Sequence, residues 1–219
     1  AQGDLKAAIA DYTAAISVRP EFVRALASRA AALRQVPDLA GSLADVQATP
    51  DKVAGWLDEV CRGLSYIHQR GILHGDLKPG NIFVTPSGEV RLLDFGVAQL
   101  LEDDTPADQQ LTRQLGRPVT PDYAAPEQLG TQPVGTAADV YSLGIVLFEL
   151  LTGQRPYSVA HHNATTLQEA VLHAVVPPAS SRVPDQTSAR LLRGDLDTIV
   201  AKALRKKPAD RYSSVEALA

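Results

Sequence analysis

The sequence predicts a mainly α fold that carries one small β-hairpin. Three observations lead there. Val53, Trp56, Leu57, Val60, Leu64 and Ile67 recur at helical spacing. Two short apolar runs, IFV (82–84) and VRLL (90–93), flank a Pro-Ser-Gly turn. Residues 139–152 are apolar nearly all round, the pattern of a buried helix.

The elements follow in chain order. The first fifty residues are Ala-rich, with no two-residue alternation, and read as helical. Residues 51–69 form an amphipathic helix that Gly71 ends, and Ile72–Leu73 is a short strand before His74. The hairpin spans 82–93. Residues 97–119 hold Glu102, Asp103, Asp104 and Asp108 among few apolar groups and read as a mobile loop. Asp139–Thr152 is the central helix. Helical stretches near 166–176 and 195–205 follow, joined by the Pro-rich PPASSRVP (177–184), and SSVEALA (213–219) reads as the start of a last helix.

The chemistry is concentrated in HGDLKPGNIFVTPSGEVRLLDFG (74–96). Asp76, Lys78 and Asn81 lie two and three residues apart, and Asp94 opens a DFG triplet beyond the hairpin. Phosphoryl transfer needs such a set: a carboxylate to meet the attacking hydroxyl, a cation to offset phosphate charge, and oxygen ligands for Mg²⁺. The hairpin brings Asn81 and Asp94, at the ends of paired strands, to one metal. A lone Asp-x-Lys is ordinarily a solvated surface pair; its place before a hairpin and DFG reverses that reading.

This stretch resembles the protein kinase family, in particular its bacterial Ser/Thr members. The resemblance implies that Asp76 is the catalytic base, Lys78 the phosphate-contacting lysine, and Asn81 and Asp94 the metal ligands. It implies that His74 and Phe95 pack beneath the loop and that Phe83 faces the adenine. TPDYAAPEQ (120–128) resembles the family's substrate-side loop, with Thr120 expected to contact Asp76 and Lys78. ADVYSLGIVLFELLTGQRPY (138–157) and KKPADRY (206–212) resemble its central helix and late-arginine segment. An ion pair between Glu127 and Arg211, and hydrogen bonds from the catalytic-loop backbone to Asp139, are therefore expected. Lys78, two residues after the Asp, points to the Ser/Thr branch. The family's cofactors, ATP and Mg²⁺, and its protein substrates come with the resemblance.

Two departures stand out. Gly75 takes the place of the arginine that usually precedes the catalytic Asp and receives an activation-loop phosphate. Phosphorylation at Thr105 or Thr112 is accordingly not expected to be the principal switch. Upstream of Asp76 there is no G-x-G-x-x-G, and the only lysines, Lys6 and Lys52, sit in no V-A-I-K-like strand. The N-terminal lobe that normally cradles ATP is expected to be absent.

In its place DLKAAIADYTA (4–14) and DLAGSLADVQA (38–48) match in type at a period of about 34 residues, which resembles the tetratricopeptide repeat. A generic Ala-rich helical hairpin is the alternative. The expected organisation is thus 1–50 as partial repeat-like helices and 51–219 as a kinase-like C-terminal lobe, cut within its last helix. The lack of any Met reads the same way, as a fragment.

Composition narrows the function classes. With 45% hydrophobic and 21% charged residues the chain has material for a core. A net charge of −4 gives no support for nucleic-acid binding. The longest apolar run, near GIVLFELL (144–151), is too short to span a bilayer. Single Cys61 suits a reducing cytoplasm and reads as packing rather than reactive. His161 and His162 lack further ligands and read as loop, and Lys206–Lys207 as solvated surface. Two classes follow: a Ser/Thr protein kinase, weak or silent without its N-terminal lobe, or a kinase-like scaffold whose repeat helices contact protein partners.

Overall fold

A computed structural model of the chain describes residues 50–85, 89–93, 99–100, 120–130, 132–157, 164–184 and 186–219. The repeat-like segment, Asp94, Phe95, Thr105, Thr112 and the His161–His162 pair lie outside the described residues. Helix α1 (Pro50–His68) leads into strand β1 (Ile72–Leu73), and strands β2 (Ile82–Val84) and β3 (Val90–Leu92) follow. Strand β4 (Gln99–Leu100), a short helix α2 (Pro126–Leu129) and the central helix α3 (Ala137–Thr152) come next. Helices α4 (Ala164–His173), α5 (Gln186–Leu192) and α6 (Asp195–Ala203) complete the order.

Helix α1 buries the stripe its spacing predicts: Trp56, Val60, Leu64 and Ile67 are buried, while Asp58, Arg62 and Tyr66 face solvent. Cys61 joins this stripe, and burial pushes its thiol up to about 12, so it packs as a small apolar group. Strands β2 and β3 pair antiparallel in the register Ile82–Leu92, Phe83–Arg91 and Val84–Val90. Alternation then turns Ile82 and Val84 into the core and leaves Phe83 half-exposed on the opposite face. Glu59 on α1 accepts the Val90 amide at 2.7 Å, fixing the hairpin to the helix.

Helix α3 is the centre of the molecule. Twelve of its sixteen residues are buried, because apolar groups cover both sides of it. On one side Val140, Leu143 and Val146 meet α1 and the hairpin. On the other, Tyr141, Ile145 and Phe148 meet Val171, Leu192, Val200 and Leu204. The helices α3 and α6 approach closely at Gly144, where an added Cβ would lie 2.9 Å from the Ala203 Cβ.

The structure departs from the sequence reading in five places. The Pro-rich 177–184 segment is not a bare linker: it contains a 3₁₀ turn (Ala179–Ser181), and Asp197 on α6 accepts bonds from the Ser180 amide and hydroxyl at 2.9 and 2.6 Å. Helix α5, which has no clear apolar period, was not foreseen. Residues 213–219 form turns rather than a helix, with Val215 and Leu218 tucked into the α1–α3 core. Within 97–119, the described pair Gln99–Leu100 is a strand bonded to β1.

Lys206 is the fifth. It is not solvated surface: its ammonium donates to the Tyr157 hydroxyl at 2.7 Å and the Val171 carbonyl at 2.6 Å. Tyr157 in turn shares a 2.7 Å hydrogen bond with Tyr141 on α3. A lysine beside a lysine looks polar in sequence, and only packing against α4 half-buries the first of them.

Candidate active site

Strand β1 delivers the chain to residues 74–81, and a carboxylate at the start of α3 receives it. Asp139 is fully buried and accepts three hydrogen bonds: the His74 amide to Oδ2 and the Gly75 amide to Oδ1, each at 2.9 Å, and His68 Nε2 to Oδ2 at 2.7 Å. A buried carboxylate needs such partners, and its place in the first helical turn adds the favourable end of the helix dipole. Gly75 has φ +78°, a conformation that favours glycine and that lets its amide turn down toward α3.

The turn leaves Asp76 only 7% exposed. Its Oδ2 accepts the Lys78 ammonium at 2.6 Å and its Oδ1 the Thr120 amide at 3.0 Å. Lys78 Nζ also donates to Thr120 Oγ1 at 2.7 Å, so the three residues close a small ring. Leu77 between them points the other way and is fully buried.

Asn81 is fully buried at the end of a 3₁₀ turn (Pro79–Asn81), and its Nδ2 donates to the Asp76 carbonyl at 2.8 Å. That bond fixes the amide plane, with nitrogen toward Asp76 and oxygen on the opposite side. The Leu93 amide donates to the Asn81 carbonyl at 2.8 Å, and the Leu93 carbonyl accepts from His74 Nε2 at 3.2 Å. The chain just before Asp94 is therefore pinned beside Asn81 and the fully buried His74. An amide oxygen here fits a hard divalent cation, which takes oxygen ligands. Among the described residues no group of three or more His, Cys, Asp or Glu could hold a metal by itself.

The substrate-side loop rests on the same helix. Ser142 on α3 donates to the Tyr123 carbonyl at 2.8 Å, and the Tyr123 hydroxyl donates to Glu149 at 2.7 Å. Asp139, Ser142 and Glu149 share a face at helical spacing, so one helix fixes both loops. Below them Arg211 grips Glu127 through two parallel bonds at 2.6 and 2.7 Å. Its remaining donors reach the carbonyls of Ala137, Arg205 and Lys206 at 2.7–3.0 Å. Both side chains are essentially sealed from water, at 0% and 1% exposure. Such a bidentate, fully satisfied pair tolerates burial where a lone charge would not.

The structure thus gathers Asp76, Lys78, Asn81 and Thr120 in one hydrogen-bonded cluster, with His74, Asp139, Glu127 and Arg211 supporting it. Phe83 lies on the exposed face of the hairpin. Several residues of this assembly escaped the sequence reading, Ser142 and Glu149 among them. His68 lies one helical turn after Leu64, so a polar ring on the buried stripe was the available signal. Gln128, whose Nε2 donates to the Gly75 carbonyl at 2.7 Å, carried no signal except its place in A-P-E-Q.

Residues 33–219 match the protein kinase domain family. The chain belongs to the protein kinase family. It is 36% identical over 171 residues to the probable serine/threonine-protein kinase PknB of Corynebacterium glutamicum, which covers 78% of this chain and 25% of that protein. It is 34% identical over 166 residues to the serine/threonine-protein kinase PknB of Mycobacterium tuberculosis H37Rv, 76% and 25% of the two chains. The corresponding protein of Mycolicibacterium smegmatis is 35% identical over 170 residues, 78% and 25% of the two. The chain spans about a quarter of the length of these relatives. The family match begins at residue 33, inside the segment read as repeat-like helices. Among the described residues no helix is long and apolar enough to cross a membrane.

Proposed function

We propose that this chain carries the phosphoryl-transfer residues of a bacterial-type Ser/Thr protein kinase, moving the γ-phosphoryl of ATP to a Ser or Thr hydroxyl on a protein. The closed ring of Asp76, Lys78 and Thr120 is the observation that carries the reading. It puts one carboxylate, one ammonium and one hydroxyl within hydrogen-bond reach at the mouth of a rigid loop. Asp76 takes the proton of the acceptor hydroxyl, a role a carboxylate performs at hydrogen-bond distance. Lys78 sits where its charge offsets the phosphate, and Thr120 holds both in register from the substrate side. Asn81 and Asp94 would hold Mg²⁺, which when bound neutralises phosphate charge and orients the oxygens. Phe83, half-exposed, offers an apolar surface for the adenine.

The reading includes weak turnover by this polypeptide alone. Its sequence before Asp76 holds no G-x-G-x-x-G and no V-A-I-K-like motif, and losing one preorganised donor commonly lowers a rate by about 10²–10³. The same observation favours a second reading, a kinase-like scaffold in which residues 1–50, whose sequence resembles a tetratricopeptide repeat, contact protein partners. Calorimetry separates them. The kinase reading expects saturable Mg·ATP binding that Asp94→Asn abolishes, and phosphoryl transfer to casein that Asp76→Asn reduces by about 10²–10⁴ while ATP still binds. Binding that ignores Asp94, with no transfer above the Asp76→Asn background, would sink it in favour of the scaffold.

A further inference from the structure

We propose that Gln128 is a positioning residue for Asp76: its side-chain amide locks the Gly75 carbonyl and so orients the peptide that carries the catalytic carboxylate. The inference rests on Asp76 acting as the base. It begins with a choice of residue that helix capping alone does not explain. Gln128 is the third residue of α2, and its Oε1 accepts the amide of Ala125, the residue before the helix, at 2.8 Å. This is the backward half of a capping box, a task that Glu performs as well as Gln. A carboxylate would even be favoured there by the helix dipole. What Glu lacks is a donor. The Gln128 Nε2 uses its donor on the carbonyl of Gly75, at 2.7 Å and 53 residues away in sequence.

Gly75 is consequently held from two sides. Its amide is bound to Asp139 Oδ1 from below and its carbonyl to Gln128 from the substrate-side loop. The Gly75 carbonyl and the Asp76 amide belong to one planar peptide unit. Fixing that plane removes the rotation that would swing the Asp76 side chain. Glycine at φ +78° has no side chain to restrict it, so an external tie is what gives the position rigidity. The segment that starts at Thr120 and ends at Gln128 therefore restrains Asp76 at two points. Thr120 holds its carboxylate, and Gln128 holds the Gly75 carbonyl of the peptide unit that precedes it. Order in the substrate-side loop is transmitted to the base through both ends.

Gln128→Glu is the discriminating variant, since it keeps the cap, loses the donor and sets oxygen against oxygen at Gly75. In the full chain, with casein as acceptor, kcat is expected to fall about tenfold while KM for ATP stays within about twofold, as for loss of one buried hydrogen bond. The loss should shrink as pH falls from 8 toward about 4.5, because the introduced carboxyl group, with an ordinary value of about 4.3, donates again once it is protonated. Asp76, His74, Glu127 and Asp139 also face this region, so activity is read as the ratio of variant to wild type at each pH. Gln128→Ala should show the same loss with no recovery. Amide hydrogen exchange provides a readout free of activity: residues 75–77 exchange about tenfold faster in both variants, while α3 does not change. Wild-type activity in Gln128→Glu, a ratio that is flat with pH, or unaltered exchange at 75–77 would each overturn the proposal. If the wild type transfers no phosphoryl group at all, the kinase reading fails, and the exchange result alone decides whether Gln128 clamps the loop.

Discussion

Replacing Asp139 by Asn keeps the volume of the side chain and removes one of its two acceptor oxygens. In the native state three donors converge on that carboxylate, at 2.7–2.9 Å, in a site with no solvent access. Asn turned to satisfy His68 and the His74 amide presents its own NH₂ to the Gly75 amide, so two donors meet. The lost charge-assisted bond is worth about 1.5–3 kcal/mol, and the stranded amide adds about 1–3 kcal/mol. Allowing for overlap between these, destabilisation of about 3–5 kcal/mol is expected. That is a large part of the roughly 5–15 kcal/mol typical of a folded domain. Urea unfolding followed by tryptophan fluorescence of Trp56 reads it directly: the midpoint falls while the slope stays fixed. Below the unfolding range, amides 74–76 should exchange faster than those of α1. A shift under about 1 kcal/mol with unchanged protection at 74–76 would refute the view that Asp139 holds the catalytic loop.

Gly144→Ala is expected to lower stability by about 1–3 kcal/mol through overpacking, less the gain of about 1 kcal/mol from helix propensity. The new methyl would meet the Ala203 Cβ at 2.9 Å and Leu204 at 3.1 Å, whereas at Gly55 nothing lies within 4 Å. Gly55→Ala should therefore raise the melting temperature and Gly144→Ala lower it; the same sign for both would contradict the tight α3–α6 contact. A third test uses pH. Burial first, then the nearby Arg211, lowers the Lys206 ammonium from 10.5 to about 8. Between those values the unfolded chain binds more protons than the folded one, so stability attributable to Lys206 rises as pH increases from about 8 and is lost as pH falls through it. Tyr157, pushed up to about 12, stays protonated across this window. Relative to Lys206→Met, the wild type should gain stability between pH 7.5 and 9.5 in thermal unfolding; a constant difference would place Lys206 in water.

How far the sequence carried depended on whether a feature was local. The hairpin was legible because two apolar runs and a turn signal lie within a dozen residues, and its register follows from alternation alone. The central helix was legible because continuous apolarity over 139–152 admits only a buried site. The roles of Asp76, Lys78, Asn81 and Asp94 were approached through a compact pattern whose spacing is itself the chemistry. Helix α5 was illegible because four of its seven residues are exposed and only Leu192 is buried, so no apolar stripe marks it in the sequence.

By itself, then, the sequence pointed to the family, the order of most of the described elements and the polar residues Asp76, Lys78, Asn81 and Thr120 that the fold brings together. Tertiary structure alone decided which distant groups hold that set in place: His68 and Asp139 across the core, Gln128 on the Gly75 carbonyl, and Lys206 under Tyr157. The physical reason is that a side chain's periodicity and charge are written in its neighbours along the chain. Its hydrogen-bond partner, tens of residues away, is fixed only when packed helices close the distance and exclude the water that would otherwise have served.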